Sequence, residues 1–250
     1  MTETSSGPGL RKRGRPPKHS GRPPLTKDAI GRAALELAGV EGFPALTMRR
    51  LAAELGVTVR ALYNVIDDRQ EAVDLAAQEL VDRLPRQDLD PARWRDSIRQ
   101  WYRAARAAYR PLARALLISL DETPTPGMVP VQRIMDSEAT IRFLTDIGLD
   151  SYAANEVRGH LLLDVFAFSL LIDYRVDRTP EEFRTELARP VPRSWLDANP
   201  ALHAPLLRAL TDEQLPQSDD LFESMATRTI RYIESLLSDR PAAPSAPIDR

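Results

Sequence analysis

The chain has no cysteine, so disulfides, thiolate catalysis and Cys-ligated metals are excluded. Its histidines are only His19, His160 and His203, scattered in sequence. His160 and Asp164 lie four apart, as a metal pair would, but a polar pair or ligand anchor is the favoured reading of two such groups. Lysine is confined to Lys12, Lys18 and Lys27 while arginine is abundant, a bias of coding rather than of function. No apolar run approaches about 18 residues, so a membrane span is not expected. The basic start runs into Pro and Gly instead of an apolar stretch, which speaks against a secretory signal and for a cytoplasmic protein. Strand signals are scarce, and the expected fold class is all-α. No nucleophile–base pair, phosphate loop or placed carboxylate pair is found. Catalytic residues, metal and cofactor are therefore all expected to be none.

What is present is a 250-residue chain, 43% hydrophobic, enough for a sizeable core. The net charge of −2 hides an asymmetry: residues 1–69 hold 12 Lys/Arg against 7 Asp/Glu. Positive charge at one end suggests nucleic-acid contact there.

Punctuation divides the chain into four parts. Residues 1–25 are basic and rich in Gly, Ser and Pro, and read as a disordered arm. Residues 26–84 read as a small helical domain, with Thr26 a cap and Ile30, Ala33, Ala34, Leu37 and Ala38 at helical spacing. Pro85 and Pro91 bracket the boundary to a second helical domain, 91–238, and 239–250 form a flexible tail. In the second domain the patterns predict helices from near Pro91, after Pro111, over 127–147, over 151 to about 176, and over 219–238. Six prolines leave only short helices in 177–217, with Asn199-Pro200 reading as a cap and first helical residue.

Residues 46–66, LTMRRLAAELGVTVRALYNVI, carry the function. Thr47 can cap a helix with Leu51, Ala52 and Leu55 inward; Gly56 can turn left-handed; Thr58 can cap a second helix with Leu62 and Ile66 inward. Two short helices about a glycine turn form a helix-turn-helix, although an ordinary helical hairpin shares the pattern. The outer face of the second helix holds Val59, Arg60, Ala61, Tyr63 and Asn64. Arg suits guanine, Asn suits adenine, and Ala or Val suits a thymine methyl. Arg49 leaves the first helix toward the same side, and Arg69 at the next helix start suits a phosphate.

The stretch from Thr26 to about Leu84 resembles the tetracycline-repressor (TetR) family. The resemblance rests on Glu41-Gly42-Phe43, Leu46-Thr47-Met48-Arg49-Arg50-Leu51-Ala52, Leu55-Gly56-Val57, Leu62-Tyr63 and Asp68-Arg69 in that order. It implies an N-terminal helix-turn-helix DNA-binding domain and a C-terminal helical ligand-binding and dimerisation domain. The implied protein is a homodimeric regulator of a pseudo-palindromic double-stranded DNA operator, a repressor released by a small-molecule effector. An activator, or an architectural DNA-binding dimer without effector, shares the sequence features. The resemblance places Arg49, Val59, Arg60, Ala61 and Tyr63 at the groove and Arg69 at a phosphate. Val65 departs from it, standing where many members carry His or another aromatic polar group.

Residues 161–172, LLLDVFAFSLLI, are apolar nearly all round and are expected to face both their own core and a partner. With the stripe Phe222, Met225, Thr229, Ile230, Ile233, Leu236 and Leu237, they are expected to form a dimer seam. Trp101, Tyr102, Leu116, Met128, Met135, Phe143 and Phe166, with His160 and Asp164 as polar anchors, are the candidates for lining an effector cavity. In the N-terminal arm, Arg13-Gly14-Arg15-Pro16-Pro17-Lys18 resembles an AT-hook core, and Gly21-Arg22-Pro23-Pro24 partly repeats it. Arg13 and Arg15 are expected in a narrow minor groove; a plain basic tether is the other reading.

Overall fold

Thr26, Thr47, Thr58 and Asp68 each accept a hydrogen bond from the backbone N–H three residues on, and each opens a helix. Such a cap satisfies one of the four N–H groups that a helix start leaves without a partner. The helices are α1 (Lys27–Glu41), α2 (Met48–Leu55), α3 (Val59–Tyr63) and α4 (Arg69–Asp82). The computed structural model describes residues 24–83, 88–122, 131–210 and 215–239, and contains no strand among them. Arg13 and Arg15, expected in a minor groove, the cavity candidate Met128, and the tail beyond 239 lie outside those residues.

α5 (Trp94–Tyr109) follows a 3-10 turn, Pro91–Arg93. The helix expected after Pro111 is instead an eight-residue 3-10 run, Arg110–Leu117, with Leu112 off helical geometry at φ −112° and ψ 21°. Proline at the second position explains the change: it has no N–H to donate, and its ring crowds the preceding turn. α6 (Ile118–Asp121), α7 (Val131–Asp146) and α8 (Ser151–Phe168) come next. α8 passes through a π segment, Ser169–Asp173, into α9 (Tyr174–Arg178), so the helix expected over 151–176 is continuous but not α throughout.

α10 (Arg184–Ala188), α11 (Arg193–Asp197) and α12 (Pro205–Ala209) are one-turn pieces in the proline-rich stretch. Asn199 caps none of them. Its side chain donates to the Trp195 carbonyl, and the next helix waits until Pro205, so the expected Asn199-Pro200 helix start is corrected. α13 (Ser218–Ser238) closes the described chain, and its Asp220 carboxylate accepts from the Gln217 N–H.

α1 packs chiefly on α4, with Ile30, Ala34 and Ala38 meeting a surface that buries Ala72, Val73 and Ala76. The far end of α1 lies on the 3-10 run. There Gly39 is required by close approach: a Cβ on it would stand 2.9 Å from Leu112 Cδ2. α5, α8 and α13 pack together around Tyr102, Leu161, Phe222 and Ile233, and the buried side chains of both halves form one continuous cluster.

Candidate nucleic-acid interface

Local chemistry aims the helix pair. Gly56 takes the left-handed conformation, φ 61° and ψ 37°, which a Cβ would disfavour, and α2 turns into α3 within three residues. Leu51, Leu62 and Ile66 are buried, and α2 packs on α1 and on α3. α3 is shorter than expected, ending at Tyr63. The Ile66 N–H still bonds back to the Leu62 carbonyl, which keeps Ile66 on the inner face.

With those residues turned inward, Thr58, Arg60, Tyr63 and Asn64 are exposed, and Tyr63 shows 53% of its surface. The Thr58 oxygen is already occupied as a cap. Ala61 is half-buried. Val59 is half-buried too and packs against the core, as does Val65, so neither offers a fully free side chain. Arg50 is tied to Glu41 at 2.8 Å and to Glu54 at 3.7 Å. Arg49 and Arg60, by contrast, are exposed and make no ion pair with any described residue. The surface of the pair thus presents two unneutralised guanidinium groups, a phenol and an amide.

Arg69 is placed otherwise than the phosphate expectation held. Its guanidinium is turned inward, donating from Nε to the Leu46 carbonyl at 2.6 Å and from Nη2 to the Phe43 carbonyl at 2.9 Å. It also forms a two-pronged pair with Glu122, which holds its pKa above the ordinary value. A guanidinium filled in this way has little left to offer a phosphate.

In the C-terminal half the structure brings some of the expected cavity residues together and leaves others apart. Tyr102 is buried, its hydroxyl 2.7 Å from Asp164 Oδ2 and 2.9 Å from Thr229 Oγ1. Burial pushes that hydroxyl's pKa upward, so it stays protonated and donates to the carboxylate. Asp164 also receives Arg228 at 2.7 Å. Trp101 and Phe143 are buried, Leu116 is half-buried, and Phe166 meets Tyr109 edge to face at 5.1 Å. His160 and Asp164 do not pair: His160 is exposed and tilts against the Tyr232 ring at 5.6 Å, while Asp164 faces Tyr102. Met135 is 53% exposed because the register of α7 turns it outward with Ile134, so it does not line the protomer's interior. The expected seam stripe divides between the two faces of α13, with Met225, Leu236 and Leu237 half-buried. Phe222, Thr229, Ile230 and Ile233 are buried within the protomer, since the inner face of α13 fills the space between α5 and α8.

Sequence reading missed the strongest polar feature of this half. Arg106 forms a two-pronged pair with the fully buried Asp173 at 2.7 and 2.8 Å and reaches Asp219 at 2.8 Å. Its guanidinium lies over the Phe168 and Phe222 rings. Neighbouring Arg103 pairs with Glu223, and Arg110 with Asp177. The signal was the spacing of Arg99, Arg103, Arg106 and Arg110, which lines one face of α5 and its continuation. Ser169 Oγ, at the start of the π segment, is buried with no hydrogen-bond partner among the described residues. No described helix is long and apolar enough to cross a membrane.

A helix-turn-helix with a basic, aromatic outer face, set on an all-α body, defines a class of DNA-binding regulatory protein. Residues 30–64 match the family described as bacterial regulatory proteins, tetR family. The HTH-type transcriptional repressor DrrR1 of Streptomyces coeruleorubidus is 36% identical over 102 residues, 39% of this chain and 36% of that protein. The chain thus matches only about a third of that relative's length. Tetracycline repressor protein class C of Escherichia coli is 28% identical over 170 residues, 65% of this chain and 72% of that one. The TetR family protein ActR of Streptomyces coelicolor, solved in complex with actinorhodin, superposes with a TM-score of 0.65 at 26% identity, covering 87% of this chain and 100% of that one. Through residues 30–64 the chain resembles the tetR family of bacterial regulatory proteins, and its body is similar in fold to ActR.

Proposed function

We propose that this chain regulates transcription as a homodimeric repressor that leaves its operator when a small molecule binds. The observation that carries DNA reading is the outer face of α2–α3, where Arg49 and Arg60 stand unneutralised beside Tyr63 and Asn64. Arg60 and Asn64 would read base edges, Tyr63 and Arg49 would touch the groove wall or backbone, and the methyl of Ala61 would meet a thymine. Val59 contributes less than its position in the sequence suggested, since it is partly used in packing. Residues 26–84 would form the reading domain and 91–238 the body that binds effector and partner. The basic arm of residues 1–25, with Arg13 and Arg15, would follow the minor groove.

For the second copy, the outward face of α8 and of the π segment that continues it is the candidate. Leu163 and Leu171 are 66% and 59% exposed on the protomer, and a Cβ on Gly159 would meet nothing within 4 Å. Apolar side chains so placed gain by being covered. Two-fold pairing through this face would set two α3 helices for half-sites about one helical turn apart. For the effector, the Tyr102–Asp164–Thr229 cluster and the unpartnered Ser169 hydroxyl supply polar anchors among aromatic rings. ActR, similar in fold, was solved with actinorhodin bound. An effector acts here only to the extent that it binds the two states unequally.

The test is selection of duplexes from a randomised library by the full chain. Recovery of a pseudo-palindromic site is expected. Arg60→Ala should weaken it by about 1–3 kcal/mol and relax preference at one position per half-site. Equal loss on every sequence would place the reading face elsewhere. Sedimentation at micromolar concentration should give a dimer, and a compound that raises the melting temperature should release the selected duplex.

A further inference from the structure

Arg69 opens α4, directly after the segment that carries α3, and its side chain joins two parts of the molecule that are far apart in sequence. Phe43 and Leu46, whose carbonyls it binds, flank the short connection that leads from α1 into α2. Glu122, its ionic partner, is the residue that follows α6, 53 positions along the chain. The carboxylate is 10% exposed and the guanidinium 36%. Four donor–acceptor contacts from one guanidinium fix the entry to the helix-turn-helix against the end of α6.

Behind Glu122 lies an unbroken set of contacts. The residue follows α6, and α6 follows the 3-10 run of Arg110–Leu117 directly. Runs of 3-10 helix beyond three or four residues are uncommon and often mark hinges. One side of this run packs on α1 at Gly39, where backbone and side chain approach too closely for a Cβ. Its other side faces the π segment and α9, through Arg110 to Asp177 and Arg114 to the Tyr174 hydroxyl at 3.5 Å. Two non-α segments therefore pack against each other midway between the interior of the C-terminal half and the reading head.

We infer that Arg69 and Glu122 are positioning residues for DNA reading, which hold α2–α3 in register with the end of α6 and transmit the state of the C-terminal half to it. The inference rests on the DNA-reading function proposed above. It gives Arg69 a task different from a phosphate contact: its charge is met by Glu122, and its fork geometry, not its charge, is what the site uses.

The experiment uses the full chain and a duplex selected by it from a randomised library. Binding, its salt dependence, and amide exchange with and without saturating duplex are measured for the parent, Arg69→Lys and Glu122→Gln. Coupling between sites is reciprocal, so duplex binding in the parent should slow exchange within 112–122, away from the DNA face. Both variants should lose most of that remote change and weaken the duplex at least about five-fold, with the slope of log K on log salt unchanged. Lysine keeps the charge, so parental affinity in Arg69→Lys would mark a plain phosphate contact and overturn the inference. So would an intact remote response in Glu122→Gln, or tighter binding by it, which a released arginine would produce. A parent chain that selects no duplex would instead remove the DNA-reading function itself, and this inference with it.

Discussion

The first four helices and those that follow are held in different ways. α1 to α4 each begin at a Thr or Asp whose side chain takes the N–H three residues on; in the body only α8, at Asp150, and α13, at its Gln217–Asp220 box, have such caps, while α5, α6 and α9 to α12 begin without one. The C-terminal half relies on polar contacts between distant residues. Tyr102–Asp164, Arg106–Asp173, Arg103–Glu223 and Arg95–Glu234 join positions 62 to 139 apart. The reading head is thus written locally, in caps, a left-handed glycine and short apolar stripes. The body is held by pairings that exist only once α5, α8 and α13 have met. The body also carries the two long departures from α geometry, the 3-10 run of Arg110–Leu117 and the π segment of Ser169–Asp173.

The contrast can be broken most severely at Asp173. Asp173→Ala leaves Arg106 buried between two aromatic rings with only the exposed Asp219 as partner. The expected loss is about 3–5 kcal/mol by denaturant unfolding, toward the lower end because Asp219 remains. A loss below about 1 kcal/mol would mean that the pairing contributes little to holding the body. In the reading head the severe change is apolar. Leu62→Ala should cost about 2–5 kcal/mol, since Leu62 is fully buried and its removal empties the space under α3.

A milder change sharpens the same contrast. Thr58→Ala removes the cap of α3 and should cost about 1 kcal/mol, with faster amide exchange at Ala61 and Leu62 and none of the body affected. If exchange rises throughout α5 and α8 as well, the head is not locally determined.

The smallest effect is on pH dependence. Arg110 holds the Asp177 carboxyl below the usual carboxylate range, Arg103 does the same for Glu223, and Lys27 for Glu71. A carboxylate with a depressed folded pKa adds stability that is complete above its unfolded value of about 4 and is lost as pH falls through the folded value. Stability should therefore be flat near neutrality and fall below about pH 4, and Arg110→Gln should flatten that fall. Because they are partly exposed, the Arg110–Asp177 and Arg103–Glu223 pairs should each contribute no more than about 1 kcal/mol.

Thr47, Gly56 and Thr58 were legible in the sequence because their effect reaches only three or four residues, within the span of a motif. Leu51, Leu62 and Ile66 were legible because helical spacing fixes which side chains share a face. Arg60, Tyr63 and Asn64 followed as the remainder. Reading failed where a residue's partner lay far along the chain. Arg69 had the spacing of a phosphate contact, but Glu122 and two carbonyls claim it. His160 and Asp164 had the spacing of a pair, but Tyr102 claims the aspartate and Tyr232 faces the histidine. Ile233 and Phe222 lie on the inner side of the expected stripe, where the protomer's own α5 and α8 cover them, while Leu236 and Leu237 stay half-buried.

By itself the sequence determined an all-α chain, a helix-turn-helix turned at Gly56, and the face that this motif leaves open, because short-range backbone and capping chemistry suffice for each. Only the tertiary structure decided which arginines are free and which are consumed. A guanidinium's fate depends on whether folding brings a carboxylate or carbonyl within about 3 Å of it, and nothing in local spacing encodes that distance. Arg49 and Arg60 remain open to a ligand for this reason, and Arg69 and Arg106 are built into the fold.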